Sequence, residues 1–237
     1  MLLMATVGII PARAGSRGLP GKHLRRVAGL PMILHTIRAG LGARRVDRLI
    51  VSTNDPAVAR LARRAGAEVP FERPAELAAD DTATAPVIEH AVAWLERNGT
   101  PVEIVVTLQP TSPLRGSAEI DAVVAMLDVA AVRSAVSVAP LGYPSSVIGA
   151  VFGDRLAALP APPDARRQAA APAVRITGGV YATRRDLLAE GRLLDDRPAA
   201  LLVDADAAID VDDAADLSAA RLVARRRSRI AAERPDG

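Results

Sequence analysis

Short apolar runs of strand length alternate along most of this chain with apolar residues at helical spacing. Met1-Leu-Leu-Met-Ala-Thr-Val-Gly-Ile-Ile10 reads as a first strand that runs into a glycine-rich loop. Ile33, Leu34, Ile37 and Leu41 then share one helical stripe. Leu49-Ile-Val-Ser-Thr53 is β-branched, and Asn54-Asp55-Pro56 supplies a cap and a proline for a helix that ends near Gly66. Thr84 is placed to cap a third helix with Ile88, Ala91, Val92 and Leu95 inward. Val102 to Leu108 is nearly all apolar, the signature of a strand buried on both faces. Ser117 opens a further helix with Ile120, Val123, Val124 and Leu127 inward, and Ala135-Val-Ser-Val138 is another strand.

This rhythm predicts an α/β fold: one domain over residues 1–237, with a mainly parallel, doubly wound sheet covered by helices in three layers. Ligands bind such sheets at the carboxyl ends of the strands. The loop at 11–22, the turn Ser52-Thr-Asn-Asp55 and the turn Gln109-Pro-Thr-Ser-Pro-Leu-Arg115 all follow strands on that edge. From Pro140 to 173 proline, alanine and arginine dominate, so this stretch is expected to be an irregular inserted arm before the core resumes at Val174-Arg-Ile-Thr-Gly-Gly-Val-Tyr181. The segment Ala208-Ile-Asp210-Val-Asp212 reads as a short strand feeding a last helix.

Composition narrows the function. Aromatics make up 2% of the chain, too few for rows of stacked bases, which argues against a single-stranded nucleic-acid binder. There is no cysteine, hence no disulfide framework and no thiolate metal site. No segment approaches the apolar length of a membrane span, and the N-terminus lacks a basic leader, so a cytoplasmic protein with no membrane partner is expected. The net charge of +3 arises in the tail Arg221 to Arg229. Those arginines suit the solvated end of a last helix better than a nucleic-acid patch.

Lys22 is the single lysine among 30 basic residues, and it closes Pro11-Ala-Arg-Ala-Gly-Ser-Arg-Gly-Leu-Pro-Gly-Lys22. Glycines that admit close backbone approach, together with Arg13, Arg17 and Lys22, are chemistry for a polyphosphate, although a basic surface turn would share the pattern. The loop is not a Walker A motif, because Pro20 interrupts it and His23 stands where Ser or Thr would meet magnesium, and its even glycine spacing is not GxGxxG. Asp210 and Asp212, two apart in an apolar strand, would leave one face together as hard oxygen ligands for magnesium, or would cap the last helix with Asp213 and Asp216. Asp204 and Asp206 share that spacing in an alanine-rich loop and are expected to be solvated, while His35 and His90 sit on helices as structural residues.

Pro11 to Lys22, Val51-Ser-Thr-Asn-Asp55, Arg73-Pro-Ala-Glu-Leu-Ala78, Leu108-Gln-Pro-Thr-Ser-Pro-Leu-Arg115, Arg167-Gln168, Val174 to Tyr181 and Ile209-Asp-Val-Asp212 together resemble the acylneuraminate cytidylyltransferases, which make CMP-sialic acid. The resemblance to the related Kdo cytidylyltransferases is weaker. It implies a nucleotide-diphospho-sugar transferase type of fold and a magnesium-dependent transfer of CMP from CTP to the anomeric hydroxyl of a 2-keto acid sugar. Arg13, Ser16, Arg17 and Lys22 would hold the triphosphate, and His23, Arg73 and Thr84 would line the nucleotide pocket. Gln109, Arg175 and Arg167 would meet the acceptor, Asp210 and Asp212 would hold Mg2+, and Arg13, Lys22, Gln109 and Asp212 would carry the catalysis. The arm at 140–173 would make a homodimer.

The chain departs from the family at several positions. His23 and Thr177 replace asparagines, and Tyr143-Pro-Ser-Ser146 lacks the lysine that many members place near the sugar carboxylate, with Arg166 or Arg167 available to compensate. The acceptor is therefore expected to differ from N-acetylneuraminate. Transfer to a non-sugar acid such as a phosphonate, and an inactive CTP-binding relative, stay open as alternatives.

Overall fold

The computed structural model describes residues 4–15, 18–144, 148–152, 155–158 and 172–232. Ser16, Arg17, Arg166 and Arg167 lie outside the described residues, as do Ser145 and Ser146 of the arm entrance.

A six-stranded sheet forms the middle layer. Its strands are β1 (Ala5–Pro11), β4 (Arg48–Ser52), β5 (Val102–Thr107), β6 (Ser134–Pro144), β9 (Pro172–Arg184) and β10 (Ala199–Leu202), in the order β10-β6-β9-β5-β1-β4. The pairs β1 with β4, β1 with β5 and β10 with β6 are parallel. β9 runs antiparallel between β5 and β6, so the sheet is mainly parallel but mixed. Two short pairs stand apart, β2 (Arg26–Val27) with β3 (Leu30–Pro31), and β7 (Gly149–Phe152) with β8 (Arg155–Ala158).

Period-two alternation sorts the strand residues into two cores. Ile10, Leu49, Val51 and Val106 join Ile33 and Ile37 of α1 (Met32–Leu41), Val58 of α2 (Pro56–Arg64) and Ile120 of α4 (Ser117–Ala125) on one face. Val7, Ile9, Ile50 and Val105 meet Ile88, Ala91, Val92 and Leu95 of α3 (Thr84–Arg97) and Leu188 of α5 (Arg185–Ala189) on the other. The three layers follow from that division.

Several local expectations change. Leu41 is 47% exposed, and Met32 and Thr36 take buried places on α1 instead, because the helix is covered on more than one side. Thr84 is the first residue of α3 and Ala83 its N-cap, with no side-chain capping bond. Asp55 does cap α2, its Oδ1 accepting from the Ala57 and Val58 amides. The stretch 140–173 is not irregular throughout: β6 continues to Pro144, β9 begins at Pro172, and β7 and β8 lie between them.

Residues 208–213 carry no strand: the Ala208 amide closes a turn onto Asp204 and Ala205, and among the described residues the only amide of 209–213 with a backbone partner is that of Val211, which donates to the Thr111 carbonyl at 2.8 Å. The alternation survives without the ladder. Ile209 packs against a third apolar cluster and Val211 is buried in it, together with Leu19 of the first loop, Val27, Met32, and Leu217, Ala220 and Ala224 of α6 (Ala214–Ala232). Leu19 and Val211 thus pin the first loop to the segment before α6.

Candidate functional site

The loops at the carboxyl ends of β1 and β5 and the segment leading into α3 converge on a cleft of about 170 Å³ lined by Arg13, Lys22, His23, Arg73, Thr84 and Gln109, among others. These residues come from four separate stretches of the chain. Thr84 brings the N-terminus of α3 to the same wall, and a helix N-terminus favours negative charge.

Each cation is held by a different device. Arg73 is 4% exposed; its Nε donates to Ser52 Oγ at 3.1 Å and its Nη2 to the Ser52 carbonyl at 2.6 Å. Burial, then the Arg13 charge, lowers its pKa from the ordinary guanidinium value to about 10, which leaves it a cation at neutral pH. Arg13 pairs with Asp80 at 2.5 Å. The loop bearing Arg13 is fixed at Ala14, whose amide donates to Asn54 Oδ1 at 2.7 Å.

Lys22 Nζ lies 3.0 Å from Asp212 Oδ1, although 190 residues separate them. The approach needs a residue without a side chain at position 18, since a Cβ there would sit 2.5 Å from the Asp212 carbonyl oxygen. Asp210 is half-buried beside Gly178, where a Cβ would lie 3.3 Å from Asp210 Oδ2. Burial raises the Asp210 pKa above its ordinary value and the Asp212 charge adds to this; a hydrogen bond from Thr111 and the Lys22 and Arg175 charges oppose it. Asp210 Oδ1 is buried without a hydrogen-bond partner among the described residues. Capping of α6 falls to other carboxylates, with Asp213 Oδ1 accepting from the Ala215 and Asp216 amides and Asp216 Oδ2 from those of Asp212 and Asp213. The Asp210 and Asp212 side chains are left out of the cap: Asp212 pairs with Lys22, which lines the cleft, and Asp210 lies within electrostatic reach of Lys22.

Arg175 lies on β9, its Nη2 donating to the Ala208 carbonyl at 2.6 Å, within electrostatic reach of Asp210. Thr177 turns inward, bonded to Ser137 Oγ at 2.7 Å and buried. Arg115 is also internal: 4% exposed, it donates to the Gly179 and Gln109 carbonyls and so ties the turn after β5 to β9. His35 Nε2 lies 2.8 Å from the Val27 carbonyl, and His90 packs edge-on against Phe71 with ring centroids 4.7 Å apart. Asp206 is paired with Arg226 rather than simply solvated.

Sequence reading missed the residues that hold the binding groups in place: Ser52 under Arg73, Asn54 on the Ala14 amide, Asp80 on Arg13, and Thr111 beside Asp210. Asn54-Asp55-Pro56 carried a signal for the second of these, but it served there only as a helix start. Among the described residues no helix is long and apolar enough to cross a membrane, and no group of three or more His, Asp or Glu is placed to hold a metal.

Residues 7–150 match the family model described as Cytidylyltransferase. The chain is 36% identical over 182 residues to the 3-deoxy-manno-octulosonate cytidylyltransferase of Anaeromyxobacter dehalogenans, covering 73% of this chain and 71% of that one. It is also 36% identical over 143 residues to the CMP-N,N'-diacetyllegionaminic acid synthase of Legionella pneumophila, covering 60% of this chain and 61% of the relative, less than two thirds of its length. The weaker Kdo resemblance read from the motifs does not appear as a lower identity. The fold matches a structure of CMP:2-keto-3-deoxy-manno-octonic acid synthetase complexed with CTP, with a TM-score of 0.70, 23% identity, and coverage of 94% of this chain and 99% of that one.

Proposed function

The chain belongs to the cytidylyltransferase family, and from that premise we propose that it transfers CMP from CTP to the anomeric hydroxyl of an acidic 2-keto sugar of the nonulosonic type, releasing pyrophosphate. The observation that carries this reading is the 3.0 Å approach of Lys22 to Asp212, which sets a cation from the first loop against a carboxylate pair at the edge of one cleft. The relative named for legionaminic acid supports a nonulosonic acceptor, the one named for octulosonate supports the broader class of acidic 2-keto sugars, and the fold neighbour complexed with CTP supports the donor.

Arg13, Lys22 and Arg73 would neutralise the triphosphate while the rigid turn bearing Gln109, with Arg175, orients the acceptor. Charge stabilisation and alignment are the main levers in such transfers. The anomeric oxygen bonds to the α-phosphorus as the bond to pyrophosphate breaks. A buried carboxylate oxygen on Asp210 without a partner, facing a second carboxylate, fits a hard cation, so Asp210 and Asp212 would hold magnesium. When bound, that ion would neutralise phosphate charge and lower the pKa of the attacking hydroxyl.

The acceptor we propose is not N-acetylneuraminate, because Tyr143-Pro-Ser-Ser146 offers no cation to a sugar carboxylate. Such a charge-assisted bond is worth about 1.5–3 kcal/mol. Pyrophosphate release measured with CTP, magnesium and a panel of N-acetylneuraminate, legionaminic, pseudaminic and octulosonic acids and a phosphonate tests both parts. Turnover best on another acidic sugar is expected. Best turnover on N-acetylneuraminate refutes the acceptor, and turnover on none refutes the enzyme. We further propose a homodimer joined through the β6–β9 ribbon, where Tyr143 is 67% and Ile176 48% exposed. A monomeric mass by light scattering at micromolar concentration would contradict it.

A further inference from the structure

His23 occupies the middle of the single helical turn Lys22–Leu24 and lines both the cleft and the narrower recess beside it. Its Nδ1 is buried with no hydrogen-bond partner among the described residues. The charged groups around it come from four stretches: Lys22 from its own turn, Arg13 from the loop after β1, Arg73 from the segment before α3, and Asp55 from the cap of α2. Among the described residues, three cations thus act on the ring against one carboxylate.

We propose that His23 takes up a proton from solvent when CTP enters the cleft, so that nucleotide binding and protonation of this imidazole are one coupled event. The inference rests on reading the cleft as the CTP site. In the free protein the ring is neutral at pH 7: its pKa is lowered from 6.5 to about 4, first by burial, then by Lys22 and Arg73, with Asp55 opposing and Arg13 adding a smaller push. A triphosphate answers those same cations with several negative charges. One phosphate charge at about 4 Å, at the effective dielectric usual for such sites, is worth about three pKa units, enough to carry the ring to the neutral range. The imidazolium bears an N–H on both nitrogens, so the unpartnered Nδ1 becomes a charge-assisted donor to a phosphate oxygen. No bond in CTP changes in this step. Because the bound state holds the extra proton, CTP affinity falls as pH rises between the free and bound pKa values, by up to about tenfold per pH unit from this group.

Isothermal titration of the full chain with CTP and magnesium at about pH 6.5, in two buffers of different ionisation enthalpy, counts the protons. CTP's own terminal phosphate contributes equally to wild type and to His23→Asn, so the difference belongs to His23. Wild type is expected to take up at least about half a proton more per CTP than the variant. Equal uptake overturns the proposal while leaving CTP binding intact, whereas an absence of CTP binding overturns the reading of the cleft as well. Should His23→Asn fail to fold, the Cε1 proton signals of the three histidines in the wild-type protein decide the matter. One signal moving to the imidazolium position on addition of CTP supports the coupling, and three unmoved signals refute it.

Discussion

Replacing Asp210 with asparagine keeps the shape of the side chain and removes its charge, and the surroundings predict opposite effects on stability and activity. The Asp210 carboxylate is half-buried, with Oδ1 unpartnered and Asp212 as a like charge nearby. Its folded pKa lies above the ordinary 3.8, so below that value both folded and unfolded chains carry the proton and the group costs nothing. As pH rises through the folded value the buried charge develops and folding loses stability. At neutral pH the full cost is present. Because water screens a half-buried group, relieving it is worth about 1 kcal/mol, the low end of the cost of an unsatisfied buried polar group. For a chain of this size that raises the melting temperature by about 2–4 °C. The bond from Thr111 can persist to the amide oxygen. Turnover moves the other way: loss of one electrostatic stabiliser in such a site lowers kcat by about 10²–10³. Thermal melts at neutral pH, repeated toward pH 4 where the gain should shrink, are paired with pyrophosphate release at saturating CTP and magnesium. An Asp210→Asn protein that is less stable than wild type, or one that turns over at the wild-type rate, refutes the reasoning.

Asp212 differs because its side chain is 75% exposed, so its ion pair with Lys22 contributes at most about 1 kcal/mol. Asp212→Asn should therefore melt within about 3 °C of wild type while losing turnover by a similar factor to Asp210→Asn; an unchanged rate at saturating magnesium counts against the metal role. Gly18→Ala places a methyl 2.5 Å from the Asp212 backbone oxygen, which must move. We expect about 1–3 kcal/mol of destabilisation by chemical denaturation and a raised KM for CTP, and a variant with wild-type stability and KM would show that the loop and Asp212 do not need their close approach.

Lys22 was legible because its chemistry is unique in the composition, and the two-residue spacing of Asp210 and Asp212 was legible because alternation does not require a ladder. The strand expected around them was not there, since a strand is defined by neighbours and this segment has one, Thr111, reached by a single backbone bond. β10 and the β7–β8 pair escaped notice because each is four residues long and together they are rich in alanine and leucine rather than in the β-branched residues that mark strands. The reversal of β9 was invisible for a different reason: direction is decided by partners far away in the chain, here β5 and β6. Arg115 reads locally as a cation of a substrate loop. Only the fold turns it inward to the Gly179 carbonyl.

Because β9 is reversed, its pairing with β5 stops at Tyr181 opposite Thr107, and residues 172–176 run on beside β6 alone, with the buried irregularity at 177–180, bonded to Ser137, between the two stretches. One continuous strand is thus girder over 181–184 and balcony over 172–176. On the acceptor role proposed for Arg175, a substitution on the balcony would alter sugar preference and leave the girder paired with β5.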